Sequence, residues 1–138
     1  DVRALPFPDG TFPMVMAPYG ILQSLLSERD LTATLREVAR VVEHDGIFAL
    51  ELVADLPAWG EYSRRVSLKG QRTPGGSQIT LIESRRRAFA LTFRTLSVPQ
   101  MSRRLAAAGF AVEALLGDYD GGPWHRDADA WIIIARKV

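Results

Sequence analysis

The 138-residue sequence contains no cysteine, which removes disulfides, thiolate zinc sites, iron–sulfur ligation and cysteine nucleophiles together. Histidine is nearly absent. Its two copies, His44 and His125, are far apart and lack the spacing that sets two imidazoles on one helix face, so no metal site is expected. The serines are scattered, without the G-x-S-x-G elbow of many hydrolases. An excess of one charge is also missing: 17 basic against 16 acidic side chains leave +1, with no general pull toward nucleic acid or anionic membranes. The longest apolar runs, residues 47–53 and 131–135, are too short to cross a bilayer, and the first contains Glu51. No membrane partner is expected, and the cytoplasm is the default compartment. The 11 glycines include no G-x-G-x-x-G turn between a strand and a helix. Arg85-Arg86-Arg87, near Arg64-Arg65 and Arg103-Arg104, hints at a polyanion surface, but no RNP-like aromatic motif accompanies it. Solvated faces explain these arginines, and nucleic acid is not an expected partner.

Apolar residues make up 47% of the chain, enough for one core at this length. Pro13 to Pro18 is a short apolar run that predicts a buried strand, with Pro13 at its start where a missing N–H is tolerated. Beyond Leu22 the period changes. Leu31, Leu35, Val38 and Val42 recur at helical spacing, Ser27 with Asp30 signals the N-terminus, and the helix is expected to end before Asp45-Gly46. Ile47 to Val53 then reads as a central parallel strand covered on both faces, which completes a βαβ unit. In residues 54–98, after a connection carrying Trp59 and Tyr62, three stretches favour β-structure: Arg65 to Lys69, Gln78 to Ser84 and Phe89 to Leu96. Thr73-Pro74-Gly75-Gly76-Ser77 marks a turn between the first two, and the region reads as an antiparallel insert. A second helix follows, with Ser97 and Gln100 as a capping box and Met101, Leu105 and Ala108 on one face. Phe110 to Leu116 and Ala130 to Ala135 read as the last strands, giving a single α/β domain over residues 1–138.

Several segments, in order, carry a resemblance. Asp1-Val2-Arg3-Ala4-Leu5-Pro6-Phe7-Pro8-Asp9-Gly10-Thr11-Phe12 leads into Met14 to Gly20. Leu35 to Phe48 pairs a helix ending with a glycine turn. Met101 to Phe110 ends in Ala-Gly-Phe, and Gly117 to Asp120, Trp124 and Ile132 to Lys137 close the chain. Together these resemble class I S-adenosylmethionine-dependent methyltransferases over essentially the whole chain. The resemblance implies a partial Rossmann-like sheet, strands four to seven of that family, with residues 54–98 covering the active-site mouth. It implies S-adenosyl-L-methionine as cofactor and a small-molecule methyl acceptor. It further implies that a Gly-rich first strand and an acidic second strand belong upstream of Asp1. The isolated chain is then a truncated domain expected to be inactive, and to meet either a missing N-terminal half or a second copy of itself as a dimer. Two departures stand out: Pro13 replaces a usual Asp, and His44-Asp45-Gly46 replaces a Pro-Gly-Gly turn.

By the same resemblance, the Asp1 carboxylate and the Val2 N–H would meet the adenine, while Ala17, Pro18 and Gln23 would face the rest of the cofactor. Tyr19, Trp59, Tyr62 and Trp124 would line the acceptor pocket. Methyl transfer from a sulfonium needs positioning above all, so no catalytic residue is assigned; Tyr19, Glu51 and His125 are candidates for proton handling. Blander readings stand beside each: Asp1 a solvated terminus, Gln23 a surface amide, Glu51 a structural hydrogen-bond acceptor, the aromatics packing, His125 a surface residue. Two rival functions remain, a non-catalytic self-associating or fragment-pairing module and, with less support, a nicotinamide-dependent Rossmann enzyme.

Overall fold

Leu31, Leu35 and Val38 lie on one face of α1, Glu28–Val41, in a computed structural model that describes residues 1–53, 66–73, 76–83, 90–128 and 130–138. Ser27 caps this helix, its Oγ accepting the Asp30 N–H at 3.0 Å, and Glu28 and Asp30 place negative charge at the positive end of the helix dipole. The helix joins β1, Phe12–Ala17, to β2, Val42–Leu52, which pair in parallel from Met14↔Ile47 to Ala17↔Leu50. This is the expected βαβ unit with shifted boundaries. The helix stops at Val41 and the strand begins at once, because Val42 is already extended and pairs with Phe12. The surplus residues are absorbed by a register shift before Met14, with Asp45 at φ 62. Gly46 survives the changed turn for a steric reason: a Cβ there would lie 2.7 Å from Val42 Cγ1 and 3.0 Å from the Pro13 carbonyl oxygen.

A three-stranded antiparallel sheet follows, formed by β3, Val66–Thr73, β4, Gly76–Glu83, and β5, Ala90–Thr95. Its first two strands run further into the expected turn than their composition indicates, since cross-strand pairing persists to Thr73↔Gly76. Trp59, Tyr62 and Arg85 to Arg87 lie outside the described residues.

The capping box at Ser97 is present in full, with the Ser97 N–H donating to Gln100 Oε1 at 2.9 Å, and it starts α2, Val98–Ala107. The chain then returns through β6, Phe110–Leu116, and β7, Trp131–Lys137. The main sheet has the order β1-β2-β7-β6, with β7 antiparallel to both neighbours.

Both helices cover one face of this sheet. Phe48, Leu50 and Leu52 of β2 and Ile133 and Ala135 of β7 pack with Leu31, Leu35, Met101, Leu105 and Phe110 into one core; Phe48 and Phe110 meet with ring centroids 5.6 Å apart. The alternate residues point the other way, where covering is incomplete: Ile47, Ala49 and Glu51 are half-buried, and Met14 and Met16 are 52% and 68% exposed. Among the described residues, the expected cover of β2 is complete on one face and partial on the other. Glu28 ties these layers to the insert. Its carboxylate accepts from Arg104 Nε at 2.8 Å on α2 and from buried Arg94 on β5, and these hydrogen bonds, that of Arg104 foremost, hold its carboxyl down to about 2.

Candidate functional site

Ligands of open α/β sheets bind outside the carboxyl ends of the parallel strands. β1 ends at Ala17 and β2 at Leu52, and β6, antiparallel to β7, ends on the same side. One backbone amide and two side chains come together there. Glu51, one residue before the end of β2, accepts the Tyr19 N–H on Oε2 at 2.8 Å. The hydroxyl of Tyr119, from the loop after β6, lies near the same carboxylate; loss of water at the hydroxyl first and the nearby Glu51 second push the phenol up to about 12, on a residue 73% exposed as a whole. Glu51 thus has the structural hydrogen-bond role that its place in an apolar run suggested, at the mouth where a proton-handling role would also put it. Tyr119 was not singled out from the sequence. Its signal was topological: a loop returning from the strand that flanks β7 must open at this end.

The turn after β1 is held tightly. Tyr19 and Gly20 have φ 56 and 64, and a Cβ on Gly20 would come within 2.6 Å of both Gln23 Oε1 and Val53 Cγ2. Gln23 is 1% exposed, its Oε1 accepting the Val53 N–H at 2.6 Å and its Nε2 donating to the Val53 carbonyl at 3.3 Å. Its amide therefore joins the 3₁₀ turn, Ile21–Ser24, to the end of β2. Ala17 is buried, Pro18 exposed, and Tyr19 82% exposed.

At the start of the chain, Asp1 and Val2 are exposed. The Asp1 carboxylate accepts from the Arg3 backbone at 2.9 Å and from its guanidinium at 2.7 Å, while Arg3 also reaches Asp30 at 2.8 Å. The loop from Leu5 to Asp9 is clamped from α1. Arg40 donates to the carbonyls of Leu5 at 3.0 Å and Phe7 at 2.7 Å and to Asp9 at 2.8 Å, and Glu37 accepts the Leu5 N–H at 3.0 Å. The Arg40 hydrogen bond, followed by that from Leu5, holds the Glu37 carboxyl down to about 2. Sequence reasoning missed this clamp, which two side chains one helical turn apart provide.

Trp124 lies partly buried in the loop after β6 and packs edge-to-face on Trp131 with centroids 5.9 Å apart; both indole N–H groups are buried without a partner among the described residues. His125 is exposed, with a backbone carbonyl that accepts the Ala128 N–H. The structure brings Tyr19 and Glu51 together and adds Tyr119, whereas Asp1, paired with Arg3, and Val2 lie at the exposed start of the chain, ahead of the clamped loop. Among the described residues, no cluster of three or more histidines or acids is placed to hold a metal ion, and no helix is long and apolar enough to cross a membrane.

A sheet of order β1-β2-β7-β6 with one antiparallel strand, helices on one face and polar residues gathered at the carboxyl ends has the fold of S-adenosylmethionine-dependent methyltransferases, seen over part of their length. The CcbJ methyltransferase from Streptomyces caelestis superposes with a TM-score of 0.73 at 12% identity, covering 100% of this chain and 62% of that one. An S-adenosylmethionine-dependent methyltransferase from Clostridium acetobutylicum gives 0.72 at 10% identity, covering 99% and 62%. The glycopeptide N-methyltransferase MtfA, solved with S-adenosylmethionine, gives 0.65 at 21% identity, covering 100% and 62%. The chain therefore spans less than two thirds of the length of these solved structures. No protein-family model and no curated protein matches the sequence.

Proposed function

We propose that this chain forms the acceptor-side part of an enzyme that transfers a methyl group from S-adenosyl-L-methionine to a small molecule, and that it is inactive without an upstream Gly-rich half. The observation that carries this reading is the meeting of Tyr19, Glu51 and Tyr119 at the carboxyl ends of the strands, in a sheet ordered as in the methyltransferases. The cofactor's adenine edge would meet the exposed Asp1 carboxylate and the exposed Val2, with the adenine amine taking the place of an Arg3 donor on Asp1. Arg40 and Glu37 fix the loop behind that pair. Ala17 and Pro18 would lie under the methionine part and Gln23 would hold the turn beside it, with Tyr19, Trp59, Tyr62, Trp124 and the insert around the acceptor. The bound cofactor supplies both the methyl group and its leaving group. What remains for the protein is to align the acceptor and exclude water, and alignment contributes up to roughly 7–11 kcal/mol. Where the acceptor must lose a proton, Glu51 is a carboxylate placed at the mouth to take it.

Calorimetric titration with S-adenosylhomocysteine tests this. A chain extended by an upstream Gly-rich half is expected to bind with a dissociation constant in the micromolar range, about −8 kcal/mol, and the 138-residue chain to bind far more weakly. An extended chain that neither binds it nor methylates any member of a broad acceptor panel defeats the reading.

A second reading, a non-catalytic pairing module, is favoured by one observation: among the described strands β1 pairs only with β2, leaving an open edge beside exposed Met14 and Met16. Such edges and faces invite association. A monodisperse monomer in sedimentation at high concentration counts against it.

A further inference from the structure

Glu28, Glu37 and Glu113 each hold an arginine, respectively Arg104 with Arg94, Arg40, and Arg136. Glu51 differs. Among the described residues it forms no ion pair, and the groups next to it are neutral: the Tyr19 N–H, which donates to it at 2.8 Å, and the Tyr119 hydroxyl, which lies near it. A carboxylate offers about four acceptor positions on its two oxygens, so capacity for a further donor remains. The two residues next to it carry phenol rings, exposed by 82% at Tyr19, which reaches Glu51 through its backbone N–H, and by 73% at Tyr119. They differ in kind from the buried aromatics of the core, Phe48 and Phe110. Uncovered aromatic rings around an uncompensated carboxylate attract one class of group above others: an organic cation gains a charge-assisted hydrogen bond and the quadrupole of a ring face. A neutral hydroxyl gains little over water, and an anion is repelled.

We propose that Glu51, flanked by Tyr19 and Tyr119, is a binding site for an organic ammonium group, and that this group belongs to the methyl acceptor. The first half stands on the geometry alone; the second rests on the methyl-transfer reading. Glu51 anchors the cationic nitrogen, and the tyrosine rings select for positive charge and against carboxylate- or phosphate-bearing molecules.

The test is a pair of probes matched in shape and different in charge, benzylammonium and benzyl alcohol, titrated into the 138-residue chain with backbone NMR shifts as readout. The ammonium is expected to bind about tenfold more tightly or better, with the largest shifts at residues 19–20, 51 and 119; tenfold corresponds to about 1.4 kcal/mol. Glu51→Gln keeps an acceptor for the Tyr19 N–H and removes the charge, so it is expected to abolish the preference with the rest of the spectrum intact. Tyr119→Leu, which leaves the carboxylate in place, is expected to weaken the ammonium more than the alcohol, and it decides the question if the glutamine variant fails to fold. Equal binding of the two probes, no binding of either, or a preference that survives Glu51→Gln overturns the site. S-adenosylhomocysteine titrated into the extended chain separates the two ideas. Ammonium preference without cofactor binding leaves the site and removes the methyl acceptor; cofactor binding without preference does the reverse.

Discussion

Glu51 is the acid in an otherwise apolar run, and its neighbours decide what it does. A half-buried carboxylate must find donors, and it finds the Tyr19 amide, with the Tyr119 hydroxyl brought near it by the loop after β6. The cost of that arrangement falls on Tyr119, whose proton is held until about pH 12. A group whose folded pKa is raised contributes stability fully present below its unfolded value near 10 and lost as pH rises toward 12. The ultraviolet phenolate titration is therefore expected to contain one component with a midpoint near 12. Tyr119→Phe should remove that component, and Glu51→Gln should move it part of the way back, since burial is the larger cause. A titration with every midpoint near 10 contradicts the contact. At this scale the sequence was half legible. Glu51 stood out because a charge breaks an apolar pattern, but nothing local to Tyr119 marked it, since its partner is supplied by a strand return that short-range patterns do not encode. The Arg40 clamp was hidden likewise: Glu37 and Arg40 look like an ordinary solvent-facing pair until the loop they grip is in place.

Elements were read better, for reasons that differ between helices and strands. The start of each helix is written in its own residues: Ser97 with Gln100 and Ser27 with Asp30 cap as their spacing demands. Ser97→Ala should thus cost about 1 kcal/mol. Leu105→Ala, at a 0% exposed position against both helix and sheet neighbours, should cost about 2–5 kcal/mol. Urea denaturation checks both, and a smaller loss at Leu105 than at Ser97 contradicts the assigned core. Strand ends were read less well. Val42 sits at helical spacing from Val38 yet is drawn into β2 by pairing with Phe12, a partner some thirty residues earlier. The register shift that follows depends on Asp45 adopting φ 62, a backbone choice that an Asp-Gly pair permits without requiring.

At the scale of the whole molecule, the partial Rossmann-like sheet followed from the resemblance and the antiparallel strands after it from their composition and turn residues, whereas the incomplete second face follows from counting layers. Both helices lie on the Phe48 and Leu50 side, so the Ile47, Ala49, Met14 and Met16 side lacks an equivalent cover among the described residues. If this face is where the chain pairs with itself, Met14→Lys with Met16→Lys should shift sedimentation toward the monomer without lowering thermal stability. Unchanged association in the double variant places the contact elsewhere. The methionines also serve as a chemical record. The chain has three, of which Met14 and Met16 are 52% and 68% exposed and Met101 is 0% exposed. Mild peroxide converts accessible thioethers to sulfoxides, so Met101 is an internal reference against which oxidation of the other two can be read by mass spectrometry. Whatever settles on the β1 edge, whether an upstream half or a second copy, will register there as sulfur left unoxidised.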